Sequence, residues 1–183
     1  MGVAGMSARV ILVVSGSDRP GLTRALAEAV HAAGGNWLES HLSRLGGKYV
    51  GSVLVELAAA ALPALEAEVR KVDGQGASGG LNVSLVPAEP AGPAQPGPSL
   101  TIDLLGQDRP GIVREVTTVL AVLAVNIASL TTGTENGAWS GELLFRARVV
   151  VTLPDGLTRE TVQAALEAIS GELMVDFTVT AAG

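Results

Sequence analysis

The stretch Gly16–Thr23, with the sequence GSDRPGLT, has the spacing of a phosphate-binding loop and follows the apolar run Ala8–Val14. Its two glycines are five residues apart, and Thr23 lies two residues after the second glycine. The phosphate-loop pattern, however, requires a lysine at the position of Leu22 to neutralise the terminal phosphates. No neighbouring residue supplies that charge, and Asp18 adds one of the wrong sign. The sequence therefore does not predict a nucleotide site, and this loop needs another function.

The same loop occurs a second time, because Gly16–Gly21 returns as Gly106–Gly111 at an offset of 90 residues. A comparison without gaps keeps this register over 36 residues and includes nine identities. Four of the identities lie beyond the loop: Arg24/Arg114, Asn36/Asn126, Gly47/Gly137 and Gly51/Gly141. Apolar positions follow the same offset, among them Tyr49/Trp139 and Val53/Leu143. The chain is therefore predicted to contain two copies of one structural unit.

Each copy is predicted to have the element order β-α-β-β-α-β. Apolar residues recur at helical spacing after each loop, and Gly34 and Gly35 end the first helix. In the first copy the strands are expected at Arg9–Val14, Asn36–Arg44, Lys48–Leu57 and Leu81–Val86, and the second helix at Leu62–Val72. In the second copy the elements are expected at 100–106, 111–123, 125–134, 138–153, 158–170 and 173–180. Leu65 matches Val162 at an offset of 97, so about seven residues have entered a longer third strand and the following loop.

These elements predict an α+β fold with two ferredoxin-like sandwiches. Right-handed crossovers give each an antiparallel sheet of order 4-1-3-2, with both helices on one face. Pro87–Pro98 holds five prolines in twelve residues, which should prevent sheet or helix formation. We therefore expect domains at residues 7–87 and 99–183, with a linker at 88–98. The second strand of each unit is a sheet edge that needs a partner, which favours a homodimer but leaves pairing within the chain open.

Two units of this kind resemble the ACT domain over residues 8–180. In each, Asp-Arg-Pro-Gly follows the first strand, an amphipathic helix comes next, and Asn opens the second strand. The resemblance implies small ferredoxin-like modules that bind amino acids and regulate enzymes or transcription. Two such modules with a Pro-rich linker and no catalytic domain are similar to the glycine cleavage system transcriptional repressor family. The implied protein is regulatory, is not an enzyme and needs no cofactor.

The resemblance also implies a ligand site between two modules, near the loop after the first strand and the start of the second strand. The matching positions are Asp18, Arg19, Pro20, Gly21, Leu22 and Asn36 in the first unit, and Asp108, Arg109, Pro110, Gly111, Ile112 and Asn126 in the second. N–H groups at the start of each helix favour a carboxylate, and an Asn side chain can accept from an ammonium group. A small amino acid, glycine or similar, is the expected ligand, and which loop is occupied is left open.

Most of these residues also have a purely structural interpretation. Asp18 and Asp108 can cap the following helices, with the prolines in the first helical turn. The loop glycines can serve only to make the turn tight. Asn36 and Asn126 can tolerate a left-handed turn, and Arg24 and Arg114 are expected to be solvated.

Catalysis and metal binding have weaker support. Glu39, His41 and Ser43 have the residue types of a nucleophilic triad. They alternate on one strand and share a face. Residues two apart on a strand are roughly 6.6 Å apart, beyond hydrogen-bond reach for short side chains. The second copy has different residues at these positions: Ser129, Thr131 and Gly133. With two His and no Cys, no metal site is predicted.

Composition limits the possible partners. Apolar residues make up 48% of the chain and Phe, Trp and Tyr only 3%, so aliphatic cores are expected. The net charge is −6, and residues 99–183 carry five Lys and Arg against ten Asp and Glu. Without a basic stripe, direct binding to nucleic acid is not expected. No apolar run approaches the length of a membrane span and no signal peptide is evident, so a cytoplasmic protein without membrane attachment is predicted.

Three functional hypotheses follow. In the first, the two units bind a small amino acid and report it to a partner protein, such as a DNA-binding activator. In the second, the chain is the detached regulatory subunit of an amino-acid or one-carbon metabolic enzyme. In the third, it is a scaffold without a ligand.

Overall fold

The computed structural model describes residues 6–73, 80–89, 97–137, 142–169 and 173–179. The chain divides into two compact units, Met1–Gly92 and Pro93–Gly183. Each described unit contains one four-stranded antiparallel sheet and two α-helices. The predicted α+β, ferredoxin-like fold is therefore confirmed in both halves of the sequence.

The first unit follows the predicted order of elements. Its elements are β1 (Ser7–Ser17), α1 (Leu22–Ala32), β2 (Asn36–Leu45), β3 (Lys48–Ala58), a short 3-10 turn (Ala59–Ala61), α2 (Leu62–Asp73) and β4 (Leu81–Pro87). The strand order is β2-β3-β1-β4, which is the predicted 4-1-3-2 order. Pro87 pairs with Val10 at the end of β4, so the expectation that it lies outside the sheet is wrong. A proline is tolerated there because β4 is an edge strand.

The second unit repeats this arrangement. Its elements are β5 (Ser99–Gln107), α3 (Ile112–Val122), β6 (Asn126–Asn136), β7 (Leu143–Thr152), α4 (Arg159–Glu167) and β8 (Met174–Val179). The strand order β6-β7-β5-β8 is equivalent to that of the first unit. Most of the predicted linker lies outside the described residues, and its positions 88, 89, 97 and 98 belong to no helix or strand.

Each unit has its own hydrophobic core, which is aliphatic except for Phe145 in the second unit. On β1 the alternate residues Val10, Leu12 and Val14 are buried, as the period of a strand with one covered face requires. They pack with buried residues of both helices, including Leu26 of α1 and Leu65 of α2. The second core uses the equivalent positions of β5: Leu100, Ile102 and Leu104. Helix spacing and strand alternation in the sequence thus select the buried faces.

Sheet register corrects the predicted alignment of the hairpins. Tyr49 pairs with Gly16 of β1, and Phe145 pairs with Gly106 of β5, so β3 and β7 correspond at an offset of 96. Tyr49, Gly51 and Val53 therefore correspond to Phe145, Ala147 and Val149 and not to the predicted Trp139, Gly141 and Leu143, of which Trp139 and Gly141 lie outside the described residues. The six added residues lie between Glu135 and Leu144, which pair with each other as Leu45 and Lys48 do on either side of the Gly46–Gly47 turn.

The predicted longer third strand is also wrong, since β7 has 10 residues and β3 has 11. A comparison without gaps cannot detect residues inserted at the tip of a hairpin. Beyond β7, Leu65 and Val162 occupy equivalent buried positions at the predicted offset of 97.

Candidate ligand site

The two Asp-Arg-Pro-Gly loops have nearly the same backbone. Gly21 and Gly111 immediately precede the first helix of each unit, with φ of 89° and 91° respectively. Left-handed backbone of this kind favours glycine. No heavy atom lies within 4 Å of a Cβ built on Gly21. The turn conformation, rather than close packing within the chain, therefore explains the glycine.

The expected capping role of the aspartates is wrong. Gly21 and Gly111 occupy the N-cap positions, and neither helix has a side-chain hydrogen bond at its cap. Each aspartate lies three residues before the cap, and each proline precedes the helix instead of occupying its first turn. The carboxylates of Asp18 and Asp108 are therefore available for other interactions.

In the second unit the loop borders a cavity of about 350 Å³ against the far end of β6. Four predicted site residues line it: Asp108, Arg109, Gly111 and Ile112. The remaining lining residues were not predicted from the sequence; they are Val113, Thr132, Gly133, Thr134 and Phe145. Because β6 runs parallel to β5, its last residues lie beside the loop that leaves β5. This neighbourhood is implicit in the predicted strand order, whereas the predicted site rested only on the repeated loop and the repeated Asn.

The charges of this cavity are unevenly compensated. Arg109 forms a bidentate ion pair with Glu115 of α3, with an Nη1–Oε1 distance of 2.9 Å. This hydrogen bonding lowers the pKa of Glu115 and raises the pKa of Arg109. Asp108 is half-buried, and its side chain has no ion pair or hydrogen bond with any other described residue. The cavity therefore contains one uncompensated negative charge.

The first unit has different side chains at the equivalent place. Arg44, which corresponds to Thr134, forms an ion pair with Asp18 at an Nε–Oδ2 distance of 3.2 Å. The hydroxyl groups of Thr23 and Tyr49 are hydrogen-bonded at 2.7 Å. Leu42 stands at the position of Thr132 and packs partly against the core. The first loop therefore has no free carboxylate, and side chains meet across the space that is open in the second unit.

Asn36 and Asn126 lie at the other end of their sheets. Asn126 opens β6 and pairs with Thr152, which in turn pairs with Ser99 at the start of β5. Eight residues of strand, about 26 Å at 3.3 Å per residue, separate Asn126 from Thr134. Asn36 is displaced in the same way from the first loop, since it pairs with Glu56 beside Arg9. Within one unit, neither asparagine reaches the loop that was predicted to share its site.

A larger groove of about 580 Å³ lies between α3 and α4. Its lining includes Arg114, Thr118 and Ile169 but no residue of the Asp-Arg-Pro-Gly loop. In the first unit the equivalent Arg24 is exposed and forms an ion pair with Glu28 at 3.5 Å, which supports its solvated interpretation. Size alone does not identify the ligand site, because this groove lacks the repeated motif and the free carboxylate.

The expectation that Glu39 and His41 lie beyond hydrogen-bond reach is wrong, because their side chains form a hydrogen bond of 3.0 Å. Both side chains are exposed, and they are long enough to bridge the distance between alternate residues of a strand. No hydrogen bond joins Ser43 to either of them within the described chain. Among the described residues there is no group of three or more potential metal ligands. Within the residues that the structure describes, no helix is long and apolar enough to cross a membrane.

Comparisons with known proteins agree with this architecture. Residues 8–75 match the family model of the ACT domain. A crystal structure of an unknown protein from Galdieria sulphuraria is 28% identical, with a TM-score of 0.75 over 96% of this chain and 99% of that chain. A protein provisionally assigned as a glycine cleavage system transcriptional repressor has the same fold at 16% identity, with a TM-score of 0.69 over 96% of this chain and 99% of that chain. No curated protein matches the sequence significantly. The first unit is therefore an ACT domain, and the second unit repeats its βαββαβ fold.

Proposed function

We propose that this chain is a regulatory protein, and not an enzyme, that binds a small amino acid at an Asp-Arg-Pro-Gly loop and reports it to a partner protein. The observation that carries this proposal is the cavity of about 350 Å³ beside Asp108. The uncompensated carboxylate attracts an ammonium group. The free N–H groups of the first turn of α3 favour a carboxylate. An α-amino acid carries both groups.

The proposed ligand is glycine or an amino acid of similar size. The fold shared with a presumed glycine cleavage repressor supports this choice. The proposed partner is a DNA-binding activator in the cytoplasm. The chain would act through that protein because it is acidic and lacks a basic stripe for nucleic acid. A detached regulatory subunit of an amino-acid or one-carbon metabolic enzyme remains the second candidate, since ACT domains also regulate enzymes.

We further propose a homodimer that completes the site. The strand β6 is an edge of its sheet and most of its residues are exposed. Long exposed edges commonly pair with another strand. Antiparallel pairing of β6 with its copy about a two-fold axis near Leu130 would bring Asn126 of one copy to Thr134 of the other. This arrangement would reunite the predicted asparagine with the loop, which a single unit keeps apart.

A thermal-shift panel of the twenty amino acids, with ATP and duplex DNA as controls, tests the binding function. An amino acid at 100 times its dissociation constant adds about 2.7 kcal/mol of stability. For a unit of this size, each kcal/mol raises the melting temperature by about 4–8 °C, so the expected rise is roughly 11–22 °C. A flat response to every amino acid would contradict the proposal and favour a scaffold.

Light scattering and a pull-down test the proposed partners. A dimer whose amino-acid response is weakened by Asn126→Ala would support the shared site. A response that survives both Asn36→Ala and Asn126→Ala would remove the asparagines from it. Capture of a transcription factor supports the first candidate function, whereas capture of a metabolic enzyme supports the second.

A further inference from the structure

The two loops have the same motif, but only the second combines a cavity with a free carboxylate. We propose that each chain binds one amino acid, in the second unit, and that Arg44 occupies the corresponding place in the first unit. This inference rests on the proposed function and specifies which loop performs it.

Arg44 imitates the cationic group of a ligand. Its guanidinium contacts Asp18 at 3.2 Å, where an incoming ammonium group would have to bind. The pair is partly solvated, with side-chain exposures of 73% for Arg44 and 34% for Asp18, so its electrostatic strength alone is modest. The volume taken by Arg44 and Leu42, in addition to the ion pair, is what disfavours a ligand.

The second unit differs at both of these positions. Thr134 and Thr132 replace Arg44 and Leu42, and Gly133 between them carries no side chain. A Cβ built on Gly133 would have no neighbour within 4 Å. The shorter side chains leave Asp108 accessible from the cavity and provide two hydroxyl groups that can donate or accept hydrogen bonds.

These features define the class of ligand. The ammonium group binds opposite Asp108, because the other charges of the loop, on Arg109 and Glu115, compensate each other. The ligand carboxylate lies toward the N–H groups of the first turn of α3. The side chain is small and uncharged or carries a hydroxyl group. An anionic side chain is disfavoured by Asp108.

Isothermal titration of the 183-residue chain with glycine, L-serine and L-threonine tests this assignment. We expect one site per chain for the amino acid that binds. N-acetylglycine, which lacks the ammonium group, should not bind. Asp108→Asn should weaken binding at least tenfold, whereas the control Asp155→Asn in the loop before α4 should titrate like the wild type.

Transfer of the first unit's residue to the second makes the test specific. Thr134→Arg should abolish binding, because the new guanidinium can reach Asp108 as Arg44 reaches Asp18. Residue 134 is exposed on β6, and circular dichroism would establish that the variant is folded. Two sites per wild-type chain, or unchanged binding by folded Thr134→Arg, would overturn the inference while leaving amino-acid binding intact. Absence of binding by the wild type to any amino acid would instead overturn the proposed function itself.

Discussion

The loops of the first and second units are alike in sequence and backbone, yet they have different surroundings. Both place glycine in a left-handed conformation before a helix. In one, the aspartate pairs with Arg44, and in the other the aspartate is free beside a cavity. The difference arises from residues at the ends of the edge strands β2 and β6, about 26 positions later in the sequence. A repeated motif therefore defines the same turn twice without defining the same site twice.

A methyl group added to a glycine should lower the free energy of unfolding more in the β2–β3 hairpin of the first unit than in the β6–β7 hairpin of the second. A Cβ at Gly51, where φ is 152°, would lie 1.9 Å from the carbonyl oxygen of His41, whereas the second unit has Ala147 at the equivalent position. Gly51→Ala should lower the free energy of unfolding by about 1–3 kcal/mol, since two backbones must separate. Urea denaturation would measure it, with Gly133→Ala as a control in open space. Equal stability of the two variants would contradict this account.

The two loop glycines should respond equally, because their backbones are equivalent. Gly21→Ala and Gly111→Ala each force a residue with a Cβ into a left-handed conformation, which costs about 1–2 kcal/mol. The loss of stability should appear in thermal melts of both variants without any ligand. If only one variant is destabilised, the loops differ in more than their neighbours.

The Arg44–Asp18 ion pair should contribute little to stability even though it distinguishes the two units. Exposed pairs of this kind contribute about 0–1 kcal/mol. Arg44→Thr, which installs the second unit's residue, should therefore change the urea midpoint only slightly. A large loss of stability would show that Arg44 supports the fold rather than merely occupying the loop.

The smallest expected effect is an acid-dependent one confined to the second unit. Hydrogen bonding to Arg109 lowers the pKa of Glu115 in the folded state, and the first unit has Ala25 at this position. A depressed pKa adds stability above the unfolded pKa of about 4.5, and this stability is lost as the pH falls through the folded value. Glu115→Gln should flatten that part of the stability profile between pH 5 and about pH 3. An unchanged profile in acid titrations followed by circular dichroism would argue against the pair.

The sequence by itself determined the repeat, the order of elements and the buried faces. Local signals suffice for these features, because strand alternation and helix spacing depend on near neighbours. The same kind of signal located the glycine turns, whose φ requirement belongs to single residues. The sheet order also followed, since right-handed crossovers leave few topologies.

Only the tertiary structure decided which side chains meet. The correspondence of β3 with β7 depends on the length of a hairpin tip, and six inserted residues displaced the apparent matches of Tyr49 and Gly51. Asn126 shares a repeat with the loop but lies at the opposite end of the sheet, because β6 runs parallel to β5. Whether an aspartate is free depends on a residue of another strand, Arg44 or Thr134, and contacts of that kind are fixed by the register of the sheet and not by the motif itself.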